Sequence, residues 1–542
     1  MPEITKPEEP TPPPLLKYVW ILLAILTVFV YFFGLTIPFL GPDESRYAQV
    51  GREMFDRREW ITPTLGGFNW FEKPALLYWL EIVSYKVFGI NEFAARFGPA
   101  LFGLGTVVSL WIMGRSLTAE SAESYETDAN SKMPLINSVS SVFSVAKQFA
   151  NYLALIAAST LGIIVFSHGA SFDIIITFPV TAALASFFIW HSKNEIPFDV
   201  GRPGGSRVSA SLFSFYFFIG IALLAKGLIG IVFPFAIVGG FYLLSRRLPT
   251  RTFIVSLLWG TLFAAAIAAV WYLPMYQRHG YRFIDEFFIQ HHFQRFTSNK
   301  YQHPQPFYFF LWVLPLLTLP WLPFFIAAMW KVCRRLFQLR DAEMLSKFKI
   351  FSISSSPLLP FVTTWLLVPL VFFSFSGSKL PGYILPAVPA AIIFTAIFVF
   401  ELVQKSNRWR NTILLIATLT FIATIMLFIF SVPKFAESDS DKMLIEAANE
   451  RGYSSNRVLT MHTVSHNAEF YASGRLIRDA EGKQQKLYSV NEILAALDSE
   501  NGRPAVVLVP LEYLSQLTRD ERITTEVLKD NGDLAVAVVS AR

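Results

Sequence analysis

The sequence YVWILLAILTVFVYFFGLTIPFL, residues 18–40, decides the fold class because it contains no charged side chain. At a rise of 1.5 Å per residue, a helix of this length crosses a hydrocarbon core about 30 Å thick. It is too long for the core of a signal peptide, and no small-residue cleavage motif follows it. We interpret it as a retained transmembrane helix, preceded by a disordered cytoplasmic leader at 1–17.

The composition of the whole chain indicates the same class. Of its 542 residues, 53% are hydrophobic and only 16% are charged, against about 25% charged residues in soluble domains. The single cysteine, Cys333, excludes an intrachain disulfide and a multi-cysteine metal site. The formal net charge of +6 does not indicate a nucleic-acid partner, since Lys and Arg in an apolar chain typically mark cytoplasmic loops.

Apolar segments recur as far as residue 432 and predict a polytopic α-helical membrane protein with about 12–13 transmembrane helices over 18–432. After the first, they cover 75–89, 94–114, 148–167, 171–191, 211–225, 227–245, 253–276, 307–330, 357–376, 382–402 and 410–431. Helices counted from the two ends of the chain disagree by one crossing. A weak additional helix within 134–150 would remove the disagreement.

The loops carry an orientation signal. Basic residues cluster at 246–251, 331–349 and 405–410, and the positive-inside rule places these loops in the cytoplasm. The segment 41–73 and everything after 432 then lie on the outer side, which is periplasmic in a bacterial inner membrane.

The last part of the chain, 433–542, predicts a small periplasmic α/β domain. Strands are predicted at 457–462, 504–509 and 534–539, and helices at 467–473, 491–498 and 514–526. The sequence contains no glycine-rich nucleotide-binding fingerprint, so no nucleotide cofactor is expected.

The outer segment 41–73 is rich in charge, yet its apolar residues recur at helical spacing and predict an amphipathic helix in the membrane interface. Asp43 and Glu44 directly follow the first transmembrane helix, where a pair of carboxylates can meet a lipid head group. The alternative role of Asp43 is that of a helix cap. Lys73, beside Glu72, is either a phosphate ligand or an interfacial anchor.

Further charged residues stand at the outer ends of later helices. Asp173 lies two residues into an apolar run, and an intramembrane carboxylate by default marks a site, although a helix cap is the alternative. Lys226 lies in a tight outer turn as a phosphate ligand or an interface anchor. Lys379 and Tyr383 either bind a phosphate and a lipid chain or belong to an aromatic and cationic belt.

His292 and Arg295 are three residues apart and share a face if 283–296 is helical, which suits a metal beside a phosphate. We predict that all these groups converge into one site with a polyanion end and an acid–base end. A carboxylate accepts the proton of an attacking hydroxyl, and a cation or a metal stabilises charge on a leaving phosphate. Phosphate and sugar chemistry fits such a site.

Four motifs carry a family resemblance: GPDESRY at 41–47, FEKP at 71–74, HFQRF at 292–296 and SKLPGY at 378–383. In this order they resemble ArnT-type glycosyltransferases of the protein O-mannosyltransferase superfamily, which has the GT-C fold. The resemblance extends over essentially the whole chain. It implies transfer of a sugar from a polyprenyl-phosphate carrier at the outer face of the bacterial inner membrane. In the ArnT type the sugar is 4-amino-4-deoxy-L-arabinose, the carrier is undecaprenyl phosphate and the acceptor is a lipid A phosphate.

The resemblance also implies roles for individual residues. Asp43 and Asp173 would line the acceptor and sugar side. With Glu44, which the residue pattern adds, they are the predicted catalytic carboxylates. Glu72 and His292 would hold a divalent metal, with zinc the implied ion. The carrier phosphate would be held by Lys73, Arg295 and Lys379, with Tyr383 near it. The expected partners are the lipid-linked donor, a lipid or protein acceptor and membrane lipids, bound by a monomer.

Other functions fit the sequence less well. A lipid-linked sugar flippase would line a path through the bilayer midplane with charge, whereas the unusual charges here collect at one face. An O-antigen ligase or polymerase would concentrate its catalytic residues in one large late loop, and a metal-dependent hydrolase would need more ligands close in sequence. A protein O-glycosyltransferase of the same superfamily remains an open alternative.

Overall fold

Each apolar segment predicted from the sequence contains a helix in the computed structural model, which describes residues 14–127, 136–194, 209–294, 305–338 and 357–542. The first helices are α1 (Pro14–Phe32), α2 (Gly41–Asp56), α3 (Leu76–Phe88), α4 (Glu92–Thr127), α5 (Ile136–Ala158), α6 (Leu161–Ser167) and α7 (Phe172–Asn194). The next are α8 (Ala210–Lys226), α9 (Ile229–Ser245) and α10 (Arg251–Ile284), which continues as a π-helix over Asp285–Gln294. They are followed by α11 (Phe309–Leu317), α12 (Leu322–Gln338), α13 (Leu358–Ser374), α14 (Val388–Lys405) and α15 (Asn407–Met426).

Among the described residues, five helical segments are long and apolar enough to cross a membrane, or six if the bent pair formed by α5 and α6 is one span. Four further apolar helices are shorter. The weak helix predicted within 134–150 is the first half of α5, so it is not a separate element. The predicted total of about 12–13 crossings stays a prediction.

Burial separates central from peripheral helices. The span Pro381–Lys405 has 83% of its apolar window buried, and Phe172–Asn194 has 78%. Asn407–Asp439, by contrast, has only 22% buried although it is the most apolar of the spans. An apolar surface left uncovered by protein suits lipid contact, so this helix lies at the periphery of the bundle.

The segment between α1 and α3 contains a helix followed by a β-hairpin. The amphipathic helix predicted in 41–73 is α2, whose apolar face is buried through Tyr47, Val50 and Met54. After it, β1 (Thr64–Leu65) and β2 (Phe68–Asn69) form an antiparallel hairpin. Its two turn residues, Gly66 and Gly67, both have positive φ, as two-residue hairpin turns of the primed types favour.

The C-terminal domain is α/β, as predicted. The helical segment that begins at α15 runs without interruption through a π-helix to α16 (Val432–Asp439). The helices that follow are α17 (Lys442–Ala448), α18 (Ala468–Tyr471), α19 (Val490–Ser499) and α20 (Leu514–Thr518). The strands are β3 (Val458–Met461), β4 (Lys486–Leu487), β5 (Ala505–Pro510), β6 (Ile523–Asp530) and β7 (Leu534–Ala541).

These strands form one sheet in the order β4-β3-β5-β7-β6, in which β3 is parallel to both β4 and β5. The other two pairings, β5 with β7 and β6 with β7, are antiparallel. The prediction of a helix over 514–526 was wrong beyond Thr518, because β6 begins at Ile523. This edge strand buries few of its side chains and contains a register shift, so its sequence lacks the alternation that marks a strand.

Candidate functional site

The first carboxylate of the candidate site lies in the first turn of α2. Asp43 is not the helix cap, because Leu40 occupies the N-cap position. The half-exposed Asp43 carboxylate pairs with Arg46, whose guanidinium lies 5.9 Å from the centre of the Trp70 ring. Burial lowers the pKa of Arg46, and the carboxylates of Asp43 and Glu72 offset this, so that the pKa is raised overall. One guanidinium therefore lies within the field of both carboxylates.

Tyr47 connects this pair to the next helix. Burial raises the pKa of Tyr47 well above its usual value, and Glu72 and Asp43 add to the rise. The Tyr47 ring meets Phe172 edge-on at 5.0 Å between centroids. Because Phe172 immediately precedes Asp173, the start of α7 is packed directly against α2.

Asp173 at the start of α7, Lys226 at the end of α8 and Tyr383 in a short 3-10 helix (Pro381–Ala387) lie close together. The Asp173 carboxylate, in the first turn of α7, accepts a hydrogen bond from Lys226 at the end of α8. The ammonium of Lys226 lies 5.0 Å from the centre of the Tyr383 ring. A Cβ on Gly382 would overlap the Asp173 carboxylate, so the backbone before Tyr383 approaches this pair closely.

Two further predicted phosphate ligands have side chains that are largely covered by protein. Lys73 donates to Glu72 over 2.9 Å, and both side chains are 12% exposed. Lys379 donates to the carbonyl of Ser376 over 2.6 Å and to that of Gln305 over 3.0 Å. Burial lowers the pKa of Lys379, which makes charge compensation by an anion favourable.

His292 lies in the π-helix that continues α10. This region is packed against the FEKP motif, since Phe71 meets Phe283 at 5.8 Å between ring centroids. The side chain of His292 and the whole of Arg295 lie outside the described residues, so their predicted roles stay predictions. Among the described residues, no group of three or more His, Cys, Asp or Glu side chains is placed to hold a metal.

Glu44 has a different environment from the other predicted catalytic residues. Its buried carboxylate accepts from Arg96 through two nitrogens, at 3.0 and 2.7 Å. It also accepts from the backbone nitrogens of Leu40, at 3.0 Å, and Ala170, at 2.7 Å. This geometry gives Glu44 a structural role, which is to fix the start of α2 to α4 and to the loop that precedes α7; its predicted catalytic role stays a prediction.

The structure adds His466 of the C-terminal domain, which sequence reasoning missed. Ser45 Oγ donates to the carbonyl of Asn467 over 2.7 Å, which places this loop on α2. Burial, together with the charges of Arg46 and Arg478, lowers the pKa of His466 to about 4, although Asp43 opposes the change. No local sequence signal marks this residue, because its proximity to α2 depends on docking of a separate domain.

The arrangement separates two kinds of chemistry. Asp43 is the most exposed of the carboxylates described above and is accessible to an incoming group. The cations Lys73, Lys226 and Lys379 are largely buried; the first two pair with carboxylates, and Lys379 donates to backbone carbonyl groups. Such a site can bind an anion at its cationic side while a carboxylate acts on a second molecule.

Comparison with known proteins agrees with these observations. A family model described as dolichyl-phosphate-mannose-protein mannosyltransferase matches residues 20–122. The chain is 27% identical over 442 residues to an undecaprenyl phosphate-alpha-4-amino-4-deoxy-L-arabinose arabinosyl transferase of Aeromonas hydrophila, covering 80% of this chain and 70% of the relative. It is 29% identical over 393 residues to the protein of the same description from Serratia proteamaculans, covering 70% of this chain and 59% of the relative.

Solved structures show the same fold. The apo structure of ArnT from Cupriavidus metallidurans superposes with a TM-score of 0.72 at 20% identity, covering 97% of this chain and 98% of the other. The structure of the same protein bound to undecaprenyl phosphate superposes with a TM-score of 0.70 at 20% identity, covering 96% and 97%. The predicted resemblance and the predicted fold class are therefore confirmed.

Proposed function

Because the chain resembles ArnT-type glycosyltransferases in both sequence and fold, we propose that it is an integral-membrane glycosyltransferase that moves a sugar from a polyprenyl-phosphate carrier to an acceptor. One observation carries the proposal. Asp43, Glu72 and Lys73 come from the outer segment 41–73, and Asp173 and Lys226 come from two later helices. Arg46 pairs with Asp43 and lies in the field of Glu72, which pairs with Lys73. Tyr47 packs on Phe172, next to the pair of Asp173 and Lys226.

The cationic side fits the carrier phosphate. Lys73 and Lys226 are held by carboxylates and Lys379 by carbonyl groups, so each ammonium is oriented before a ligand arrives. When the bond between the anomeric carbon and the carrier phosphate breaks, the electron pair leaves on the phosphate oxygen. Buried ammonium groups stabilise that charge more effectively than exposed ones, because water screens them less.

Asp43 is the better candidate for contact with the acceptor. Its side chain is 47% exposed, whereas that of Asp173 is 18% exposed and is paired with Lys226. An acceptor oxygen attacks the anomeric carbon as the carrier phosphate leaves. Where the acceptor is a hydroxyl, Asp43 takes its proton; where the acceptor is an ionised phosphate, no proton moves and Asp43 with Arg46 orients it.

Location, acceptor and metal are finer parts of the proposal. The basic loops favour a site on the periplasmic side of a bacterial inner membrane. The names of the relatives favour undecaprenyl phosphate as the carrier. The resemblance of the four motifs to the ArnT type favours a lipid A-type acceptor, whereas the name of the matched family model favours a protein acceptor. Glu72 and His292 would hold a divalent metal such as zinc, which would polarise the phosphate; since the Glu72 carboxylate is engaged by Lys73, no step above depends on it.

The test uses the purified full chain with an undecaprenyl-phosphate-linked aminosugar and lipid A. We expect Asp43→Asn, Lys73→Met and Asp173→Asn each to reduce transfer by at least about a hundredfold, the scale of a lost acid–base or charge-stabilising group. Lys483→Met is the matched control, because Lys483 is exposed and pairs only locally with Glu481.

Mass spectrometry of lipid A and of periplasmic proteins, from cells with and without the chain, identifies the acceptor. Loss of a sugar from lipid A supports the lipid acceptor, and loss from proteins supports the protein acceptor. Full transfer activity in both the Asp43 and the Asp173 variants, with normal membrane insertion, would contradict the proposed site.

A further inference from the structure

A second candidate site lies in the C-terminal domain, at the carboxyl ends of its three parallel strands. The chain leaves β3 at His462, β4 at Tyr488 and β5 at the turn that carries Tyr513. In open α/β sheets, ligands bind in the crevice outside the carboxyl ends of parallel strands. A cleft of about 390 Å³ lies at this position, between Tyr488 and the start of α19 on one side and 515–522 on the other.

The aromatic groups at this edge form a small platform. The His462 and Tyr513 rings stack with centroids 3.9 Å apart and an interplanar angle of 22°. Tyr488 stands edge-on to His462 at 5.8 Å and is 57% exposed. His462 Nε2 also lies 3.1 Å from Gln516 Oε1, which fixes the ring beside the cleft.

Several polar side chains that line the cleft are hydrogen-bonded to one another. Arg522 donates twice to Asp520, over 2.7 and 3.0 Å, and once to Asn491 Oδ1, over 2.6 Å. Because Asp520 balances the charge of Arg522, this array offers donors and acceptors with little net charge. Arg519 is a further cation of the lining. The lining therefore keeps the positive charge of Arg519, while the paired side chains of Arg522, Asp520 and Asn491 offer the donors and acceptors that hydroxyl groups use.

We propose that this cleft binds a saccharide. A sugar ring has an apolar face of C–H groups and an edge of hydroxyls, which match an aromatic platform and a ring of planar polar side chains respectively. Neither a peptide nor an isolated phosphate uses both features.

The cleft is connected to the candidate active site by one short loop. His462 lies beside the cleft, against Gln516 of its lining, and His466 lies beside α2, so their Cα atoms are at most about 14 Å apart. The loop is held from both sides, since Ser465 Oγ donates to Asp441 and Gln484 Nε2 donates to the Ser465 carbonyl over 2.8 Å. We infer that the cleft holds the saccharide part of the acceptor; this identity rests on the proposed transferase function.

Saturation-transfer NMR on the full chain in nanodiscs tests binding directly. The probes are short oligosaccharides of N-acetylglucosamine, of glucose and of galacturonate, with inorganic phosphate and a tripeptide as non-saccharide probes. We expect signals from at least one oligosaccharide, and Tyr488→Ala to weaken its affinity by roughly threefold to tenfold, because Tyr488 is the exposed aromatic ring of the cleft lining.

Matched variants separate binding from folding. Tyr488→Phe should retain affinity, Gln516→Ala should weaken it, and Arg451→Ala, which breaks an exposed ion pair elsewhere in the domain, should leave it unchanged. Binding of undecaprenyl phosphate is measured on the same samples. Its absence would overturn the proposed function, whereas normal carrier binding with no oligosaccharide signal, or with signals from phosphate or peptide alone, would overturn the saccharide site.

Discussion

Gly382 is the residue whose lack of a side chain matters most at the candidate site. Its Cα faces the Asp173 carboxylate so closely that a Cβ would overlap it. We expect Gly382→Ala to displace Asp173 from Lys226 and to reduce transfer by roughly tenfold to a hundredfold, the effect of about 1–3 kcal/mol of overpacking.

Gly239→Ala is the matched control for this change, because a Cβ at that helical glycine meets nothing within 4 Å. Transfer rates and expression of the two variants are compared in the same membranes. Equal activity of Gly382→Ala and Gly239→Ala would show that Asp173 tolerates displacement.

Asp441 gives the C-terminal domain a defined pH dependence. Burial raises its pKa from 3.8 to about 6, Ser465 opposes the rise, and Asp439 adds to it. A carboxyl whose folded pKa is raised contributes stability below its unfolded pKa and loses it as the pH rises through the folded value. As the pH rises from about 4 to about 6, we expect the domain to lose about 1–3 kcal/mol of stability, so that its thermal unfolding midpoint decreases.

Asp441→Asn resembles the protonated carboxyl and should remove most of this fall. The measurement is thermal unfolding of the full chain across the pH range, followed by limited proteolysis of the C-terminal domain. A wild-type midpoint that rises over the same interval while the Asn variant stays level would contradict the assignment.

Some candidate site residues are marked by the sequence around them, whereas the roles of others depend on contacts with distant parts of the chain. Asp43, Glu72, Lys73 and Asp173 could be predicted because charge at the end of an apolar segment is costly and therefore informative. Glu44 carries the same signal, but its role depends on Arg96, more than fifty positions away. His466 could not be predicted, since its contact with α2 depends on how a second domain docks.

At the scale of elements, the buried pair of Glu44 and Arg96 anchors α2. Removing one partner leaves an uncompensated buried charge, which costs about 3–5 kcal/mol. We therefore expect Glu44→Leu to reduce folded yield and thermal stability, with activity falling in proportion to folded protein.

Glu481→Leu is the comparison for that change, because the Glu481 side chain is 73% exposed in its pair with Lys483. Folded yield is measured by size-exclusion chromatography in detergent, and transfer is measured per folded molecule. A Glu44 variant that keeps full stability but loses transfer would restore the predicted catalytic role.

The elements themselves were predictable in proportion to their apolar periodicity. Long apolar helices such as α7 and α14 dominate the sequence signal, because lipid and core favour the same residues. The two-residue strand β4 and the edge strand β6 were missed, since neither has a side-chain pattern with period two that burial would impose. Tertiary pairing with β3 and β7, rather than local propensity, holds them in the sheet.

At the scale of the whole molecule, the C-terminal domain supports the hairpin that precedes the FEKP motif. Glu53 of α2 holds one side of the turn by accepting from the nitrogens of Gly66 and Gly67, over 2.6 and 3.1 Å. On the other side, the Gly66 backbone lies against the guanidinium of Arg478. That guanidinium is buried in an ion pair with Glu469. The hairpin is therefore contacted by α2 on one side and by the C-terminal domain on the other.

Because Arg478 holds the hairpin in place, we predict that it affects transfer without contacting either substrate. Lys73 follows the hairpin by only four residues beyond Asn69, so loosening the turn should misplace its ammonium at the carrier phosphate. We expect Arg478→Met to lower kcat by roughly tenfold, on the scale of a small misplacement of catalytic groups, and to leave the KM for the acceptor nearly unchanged.

Arg451→Met serves as the control, since its ion pair with Glu526 is exposed. Partial recovery in Arg478→Lys would support positioning by charge. A fall confined to folded yield, with normal kcat per folded molecule, would reduce Arg478 to a stabilising residue of the domain, because a loosened hairpin must alter turnover if it places Lys73.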